Sequence, residues 1–238
     1  MTAHDSLDAM AIFAGPSRSP DLILGTAQVF PPARAGDLSD AVDSGFGHIV
    51  LSDTLFLDAP PNHREIMEVM RRGATMYGCS SAGALRAIEL TSYGMIGHGI
   101  VHEIYRDRRL SDDGELACVV DDSYQAVTPS LLEIRYYLGY LSASGLSAEA
   151  VARTFGALSS VYYMNRNYDV VRRAIAEHLC SSGLRVARGI EDPAFRIKSI
   201  DLENCLADIA LSIGAHSAPF RRTEINAAWL NAGLLLRA

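Results

Sequence analysis

The chain has 238 residues, 49% of them hydrophobic, and a formal net charge of -7, which suits one large domain or a core with an appended subdomain. The acidic balance, without a basic stripe, argues against a nucleic-acid binder, and no apolar run approaches the roughly 18 residues of a spanning helix. Cys79, Cys118, Cys180 and Cys205 are far apart with no CxxC pair, so neither a zinc knuckle nor a disulfide framework is expected and reduced cytoplasmic thiols are the default.

Met1 to Met10 contains acids but no Lys or Arg, so no secretory signal is expected. Nearly all the basic residues are Arg, with Lys198 the exception. Ala9 to Ala14 reads as a first strand, followed by the turn Gly15-Pro16-Ser17. Pro31-Pro32-Ala33-Arg34-Ala35-Gly36-Asp37-Leu38 is a rigid loop with Asp37 as the expected cap of a helix, and Arg34 is the residue there that could meet an anion. Gly47 to Ser52 reads as another strand and ends at Asp53. A helix is predicted from Asn62, an Asn cap, to Gly73, with Ile66, Met67, Val69 and Met70 inward. Ala74 to Gly78 is the next strand and Ala82 to Leu90 the next helix. The strand-helix alternation predicts an α/β fold, a parallel sheet core with flanking helices and ligand chemistry at the carboxyl ends of the strands.

Near Thr128 the pattern changes to apolar residues at helical spacing. A helix is expected from Pro129 through Leu138, with others over Ser147 to Leu158, Tyr168 to Cys180, Asp201 to Ile213 and Thr223 to Leu236. This divides the chain into an α/β core, 1–126, and an α-helical C-terminal extension, 127–238.

The corner Tyr77-Gly78-Cys79-Ser80-Ser81-Ala82-Gly83 turns a strand into a helix over small residues. Cys79 and Gly83 bracket Ser81 at the offsets of a nucleophile elbow, although Cys stands where the strict pattern has Gly. A hydroxyl there would stand clear of the sheet beside the first helix amides, a geometry for acyl transfer. Such a turn is also how a strand packs on its next helix. Ser17, Asp53 and Ser81 each follow a predicted strand and are expected at one edge.

Several of these segments resemble the TfuA-like proteins. Gly15-Pro16-Ser17 and the Pro31 to Leu38 loop are similar to that family's opening motifs, and His63-Arg64-Glu65-Ile66 to its His-x-Glu-Ile helix. Ser81-Ala82-Gly83-Ala84-Leu85-Arg86-Ala87 with Glu89-Leu90 resembles its longest signature, Gly94-Met95-Ile96-Gly97 its glycine-rich element, and Asp112-Asp113-x-Glu115 its acidic segment. The motifs span roughly residues 11 to 120 and leave out the helical tail. Ala82, Ser52 to Phe56 and His98 depart from the family's usual residues.

The resemblance implies an auxiliary protein of YcaO-dependent backbone thioamidation in peptides or proteins. Its partners would be the YcaO enzyme and a small sulfur-carrier protein ending in a C-terminal thiocarboxylate. Hydrolysis of that thiocarboxylate to deliver sulfide is an acyl-transfer reaction, which joins the family to the corner. Ser81 is then the expected nucleophile, His63 its base and Asp53 the residue that orients the imidazole. Ser17, Arg34, Cys79, Ser80, Gly83 and Arg86 are expected to line the substrate crevice. The competing class is a non-catalytic docking protein that recruits the sulfur donor or modulates YcaO, and a third is an unrelated serine peptidase or esterase. No cofactor, metal, nucleic acid or membrane is expected, and self-association is left open.

His98 and His102 have metal-ligand spacing, but Gly97 and Gly99 argue against a regular helix there and no third ligand is evident. Glu65 could orient an imidazole, pair with Arg34 or favour a helix dipole. Arg106, Arg108 and Arg109 read as a solvated face or as an entrance for a carrier tail. Tyr136, Tyr137, Tyr140, Tyr162, Tyr163 and Tyr168 are expected to pack between tail helices and sheet.

Overall fold

The computed structural model describes residues 9–19, 22, 27–55, 58–182, 185, 187–214, 220 and 222–236. Five strands form one parallel sheet: β1 (Met10–Phe13), β2 (Gln28–Phe30), β3 (His48–Leu51), β4 (Thr75–Gly78) and β5 (Ile96–Gly97). Their order is β2-β1-β3-β4-β5, so the winding reverses between β1 and β3, and such a switch point opens a crevice beyond the carboxyl ends of the strands. Phe13 pairs with Phe30 and Leu51, Leu51 with Gly78, and Gly78 with Gly97. The strand ends therefore lie in one transverse row, and the loops that follow them open on one edge.

The strands are apolar throughout because both faces are covered. On one face, Ala11, Phe13, Ile49, Leu51 and Met76 pack against α1 (Asp37–Asp43), α2 (His63–Arg71) and α3 (Ala82–Leu90) through Leu38, Ile66, Val69, Ala87 and Leu90. Asn62 caps α2 as expected, its side chain accepting from the Glu65 amide at 3.0 Å. At α1 the cap position is Gly36, with φ 100°, and the Asp37 carboxylate instead accepts from the Arg34 amide at 2.8 Å. The alternate strand residues Met10, Ile12, Val50 and Tyr77 meet Leu202, Cys205, Leu206 and Ile209 on the other face. Those four belong to a helix from late in the chain.

Nine α-helices are found among the described residues. After β5, α4 (Gly99–Arg106) forms despite its glycines because Gly99 adopts φ 86° at its first position and leaves His98 outside as the cap residue. The later helices are α5 (Leu131–Ala143), α6 (Ala148–Ser159), α7 (Tyr168–Ser182), α8 (Ile197–Ser212) and α9 (Ala227–Leu234). Two compact units result: Met1–Ser111 with Lys198–Thr223, and Asp112–Ile197 with Glu224–Ala238. From Lys198 onward, α8 is thus part of the sheet unit, where the sequence pattern shows only a continuing run of helices.

In the second unit α5 starts at Leu131, two residues past the expected Pro129, behind a capping box of Ser130 and Glu133. Buried Arg135 bonds both oxygens of Glu115 and the carbonyls of Gly233 and Leu236, which ties α5 to the end of α9. Tyr136, Tyr137 and Tyr140 pack with Phe195 and Trp229. These rings form a core among the helices, whereas the sequence suggests packing between the helices and the sheet.

Candidate active site

Beyond the row of strand ends, two short loops meet at the switch point. Asp53, which follows β3, is buried, and its Oδ2 accepts from the amides of Gly15 and Ser17, both at 3.0 Å. Its Oδ1 accepts from the Ser17 hydroxyl at 2.9 Å. Asp53 and Ser17 are thus brought together as expected, but Asp53 is the anchor of the Gly15–Ser17 turn. These bonds leave it with no contact to His63 among those described.

His63 lies elsewhere. Its Nε2 is 2.8 Å from Glu89 of α3, with Arg86 bonded to the same carboxylate, and both His63 and Glu89 are about half exposed. Burial works against ionising Glu89, but the hydrogen bonds from Arg86 and His63 outweigh it and hold the carboxyl below its usual range. His63 and Arg86 therefore form a surface cluster on α2 and α3, with no contact from His63 to Ser81 among those described. Arg34 pairs with Asp58 at 2.8 Å on the surface. Glu65 accepts from the Gly36 amide at 2.9 Å and so docks the proline-rich loop onto α2.

The corner after β4 is built by close backbone approach. A Cβ on Gly83 would lie 1.8 Å from the Leu51 carbonyl oxygen, and one on Gly78 2.1 Å from the Gly83 oxygen. The Gly83 amide donates to Ser52 at 3.0 Å. The Ser81 amide donates to Cys79 at 2.7 Å, closing a tight turn around Ser80, whose φ is +64°. A side chain at that φ is strained, and the cost persists only where the surroundings enforce it.

The sequence spacing centres the elbow on Ser81; the backbone centres it on Ser80. Ser81 instead occupies the N-cap position of α3, with extended φ and no side-chain cap bond. Around Ser80 the small residues two before and two after are Gly78 and Ala82, so the strict Gly-x-Ser-x-small pattern is present one position earlier. That glycine is the sequence signal that identifies Ser80. Two of the amides expected to face an oxyanion, those of Ser81 and Gly83, are already bonded to carbonyls. The Ser80 side chain is fully buried, and its hydroxyl has no hydrogen-bond partner among the described residues.

The turn is held from α8. Asp201 Oδ2 accepts from the Ser80 amide at 3.1 Å, and Oδ1 from the Ile100 amide at 2.6 Å. Burial pushes the Asp201 carboxyl up from 3.8 to about 7, against the opposing pull of its bonds from the Ile100, Val101 and Ser80 amides. One turn further along α8, Cys205 bonds Cys79, and that contact with burial pushes the Cys205 thiol up. Sequence spacing gives no hint of Asp201 and Cys205, which reach the corner from more than a hundred residues away.

His98 and His102 do not share a helix face as ligands would. The His98 amide donates to Gly78 at 2.9 Å and its ring packs on Tyr77, while His102 sits over Gly97. Burial lowers the pKa of both. Among the described residues, no group of three or more His, Cys, Asp or Glu side chains is placed to hold a metal ion.

Asp201 gives the fold a pH signature. Its proton is held in the folded chain to about pH 7 but released near 3.8 in the unfolded chain, so between those values the native state binds more protons. The stability it contributes is complete below about pH 4 and lost as pH rises towards 7. Urea unfolding across that window should show this decline, and Asp201→Asn should remove it relative to the parent.

The described chain matches a family model for TfuA-like protein over residues 53–167. Over these residues the chain is similar to the TfuA-like proteins. The match runs from Asp53 through the corner and the Asp112–Glu115 segment to Asn167. It does not include β1, β2 or α8, so Ser17, Arg34 and Asp201 lie outside it. No curated protein matches the chain. The match supports a role as an auxiliary protein in YcaO-associated thioamide formation. No helix among the described residues is long and apolar enough to cross a membrane.

Proposed function

We propose that this protein hydrolyses the C-terminal thiocarboxylate of a small sulfur-carrier protein and so delivers sulfide to the YcaO enzyme. The observation that carries the reading is Ser80: a strained, buried serine without a hydroxyl partner, at the carboxyl end of a central strand. Unpartnered buried hydroxyls cost stability, and strain of this kind collects at sites of chemistry. Ser80 takes the place of Ser81 as the proposed nucleophile. Its Oγ attacks the thiocarboxylate carbon, the carbon–sulfur bond breaks, and sulfide leaves with the seryl proton. Water then cleaves the acyl ester, which restores the hydroxyl and leaves the carrier with a carboxylate.

The buried Ser17–Asp53 anchor and the close Gly83 approach keep the edge rigid, and Arg86 with His63 offers a polar surface for the carrier. The test is reconstitution with a purified thiocarboxylated carrier and the cognate YcaO enzyme, with sulfide and thioamide both measured. Catalytic sulfide release that feeds thioamide formation is expected. Tight binding of both proteins without turnover would replace hydrolysis by the docking role.

A further inference from the structure

The helical unit answers one of its buried arginines and leaves another unanswered. Arg135 is satisfied at every nitrogen: Nε and one terminal nitrogen donate to the two Glu115 oxygens at 2.5 and 2.7 Å, and the other terminal nitrogen to the Gly233 and Leu236 carbonyls at 3.1 and 2.8 Å. Arg166 lies in the field of the same Glu115 and is only 2% exposed. Its Nε is buried without a partner, and its side chain has no hydrogen bond or ion pair among the described residues. Burial presses its pKa down against the pull of Glu115 and Cys118, yet a guanidinium keeps its proton in a protein. The other buried carboxylate of this unit among the described residues, Glu133, is held by the Ser130 amide and hydroxyl at 2.8 and 2.7 Å. One carboxylate thus serves two buried guanidiniums, and one positive charge is left over. An ordered water can fill the Nε bond but cannot offset that charge.

The leftover charge sits in a surface turn. Arg166 ends the short 3-10 turn Tyr163–Asn165, its amide donating to the Tyr163 carbonyl at 3.3 Å. Tyr162, Met164, Asn165 and Asn167 around it are exposed, Tyr162 by 60% and Met164 by 51%, and the Tyr162 and Tyr163 rings pack on each other at 4.6 Å. Tyrosine, methionine and arginine are the residue types enriched where proteins bind. We infer that Arg166 forms the floor of a carboxylate-binding site beneath the Tyr162–Asn167 turn, independent of the chemistry at Ser80. A carboxylate supplies the single negative charge that is missing. Its two oxygens match the guanidinium fork, as those of Glu115 do at Arg135. The rings and thioether beside it suit the carbon skeleton of an acid better than a strongly hydrated dianion such as phosphate. The acid belongs either to a protein partner or to a free organic acid, and it enters as the exposed side chains of the turn rotate aside.

Protein labelled with nitrogen-15 in arginine gives Nε–H signals, and the one absent from Arg166→Met is that of Arg166. Sodium acetate is titrated against sodium chloride at constant ionic strength, so that screening stays fixed. The Arg166 signal should move with acetate and saturate in the range of about 1–10 mM, as a pair of charge-assisted hydrogen bonds near the surface allows, while chloride leaves it in place. Arg166→Lys should weaken acetate binding at least about tenfold, because an ammonium lacks the fork. Acetate should also raise the melting temperature of the parent, and that of Arg166→Met should not respond. Purified cognate YcaO enzyme and sulfur carrier then identify the source of the acid. Where one of them supplies it, Arg166→Met weakens binding of that protein at least about tenfold and acetate competes with it.

An Arg166 signal that ignores acetate would overturn the site, as would a melting temperature that acetate raises equally in Arg166→Met. Saturable acetate binding with both protein affinities unchanged keeps the site and makes its ligand a free organic acid. Where Arg166→Met does not fold, Arg166→Lys identifies the signal and the titration of the unaltered protein decides. Normal sulfide release by Ser80→Ala would remove the hydrolase reading and leave this site standing.

Discussion

Ser80→Ala should lower sulfide release from a thiocarboxylated carrier by at least about a thousandfold, because it removes the nucleophile from a unit whose parts act together. The same change should leave the melting temperature unchanged or slightly higher. Alanine has the same Cβ at the same positive φ, so no backbone strain is added, and a buried hydroxyl without a partner is lost. Loss of activity with retained or increased stability is what separates a strained catalytic serine from one that caps or packs. Ser81→Ala and Cys79→Ser should each cost no more than about tenfold. His63→Ala should cost similarly little, since its imidazole is engaged with Glu89 on the surface. If Ser80→Ala releases sulfide normally while Ser81→Ala does not, the nucleophile belongs at the N-cap of α3 instead.

Gly83→Ala should be the most damaging single methyl addition in the sheet unit. The new Cβ would lie 1.8 Å from the Leu51 carbonyl oxygen and 2.5 Å from its carbon, both of them backbone atoms that cannot rotate aside. Relief requires α3 to lift off the sheet, which breaks the bond from the Gly83 amide to Ser52 and opens the packing of Ala87 and Leu90. A loss of at least about 4 kcal/mol is expected, from the combined overpacking and hydrogen-bond terms. Urea unfolding followed by circular dichroism measures it. A variant within about 1 kcal/mol of the parent would show that the corner is far more plastic than its close approaches indicate.

Much of the sheet was legible because each strand is a short apolar run that ends in a turn residue. Met10 to Phe13, His48 to Leu51 and Thr75 to Gly78 fall within one residue of their predicted ends, and α3 spans Ala82 to Leu90 as read. The edge strands β2 and β5, of three and two residues, are too short to carry a strand pattern, and with them the strand order stayed hidden. The candidate site was less legible because burial and hydrogen bonding, rather than residue type, decide it. Asp53 looks like a triad acid from its place after β3, yet three donors from the Gly15–Ser17 turn occupy it. His63 sits in a distinctive motif, but its Nε2 is bonded to Glu89 on the surface. Asp201 carries no signal in the sequence, because its place at the Ser80 amide depends on α8 returning to the sheet, which helical periodicity alone does not reveal.

That return has a consequence for the order in which the protein is made. The sheet unit is written in two pieces, Met1–Ser111 and Lys198–Thr223, with the helical unit between them. During synthesis the strands and the Ser80 corner leave the ribosome first, with one sheet face bare and no carboxylate to hold the turn. Only after the helical unit has emerged can Leu202, Leu206 and Ile209 cover that face and Asp201 engage the Ser80 amide. A nascent or prematurely ended chain therefore carries the Ser80 corner in an unfinished state. On the proposed reaction, no sulfide is freed until the unit inserted ahead of the last sheet helix has been built.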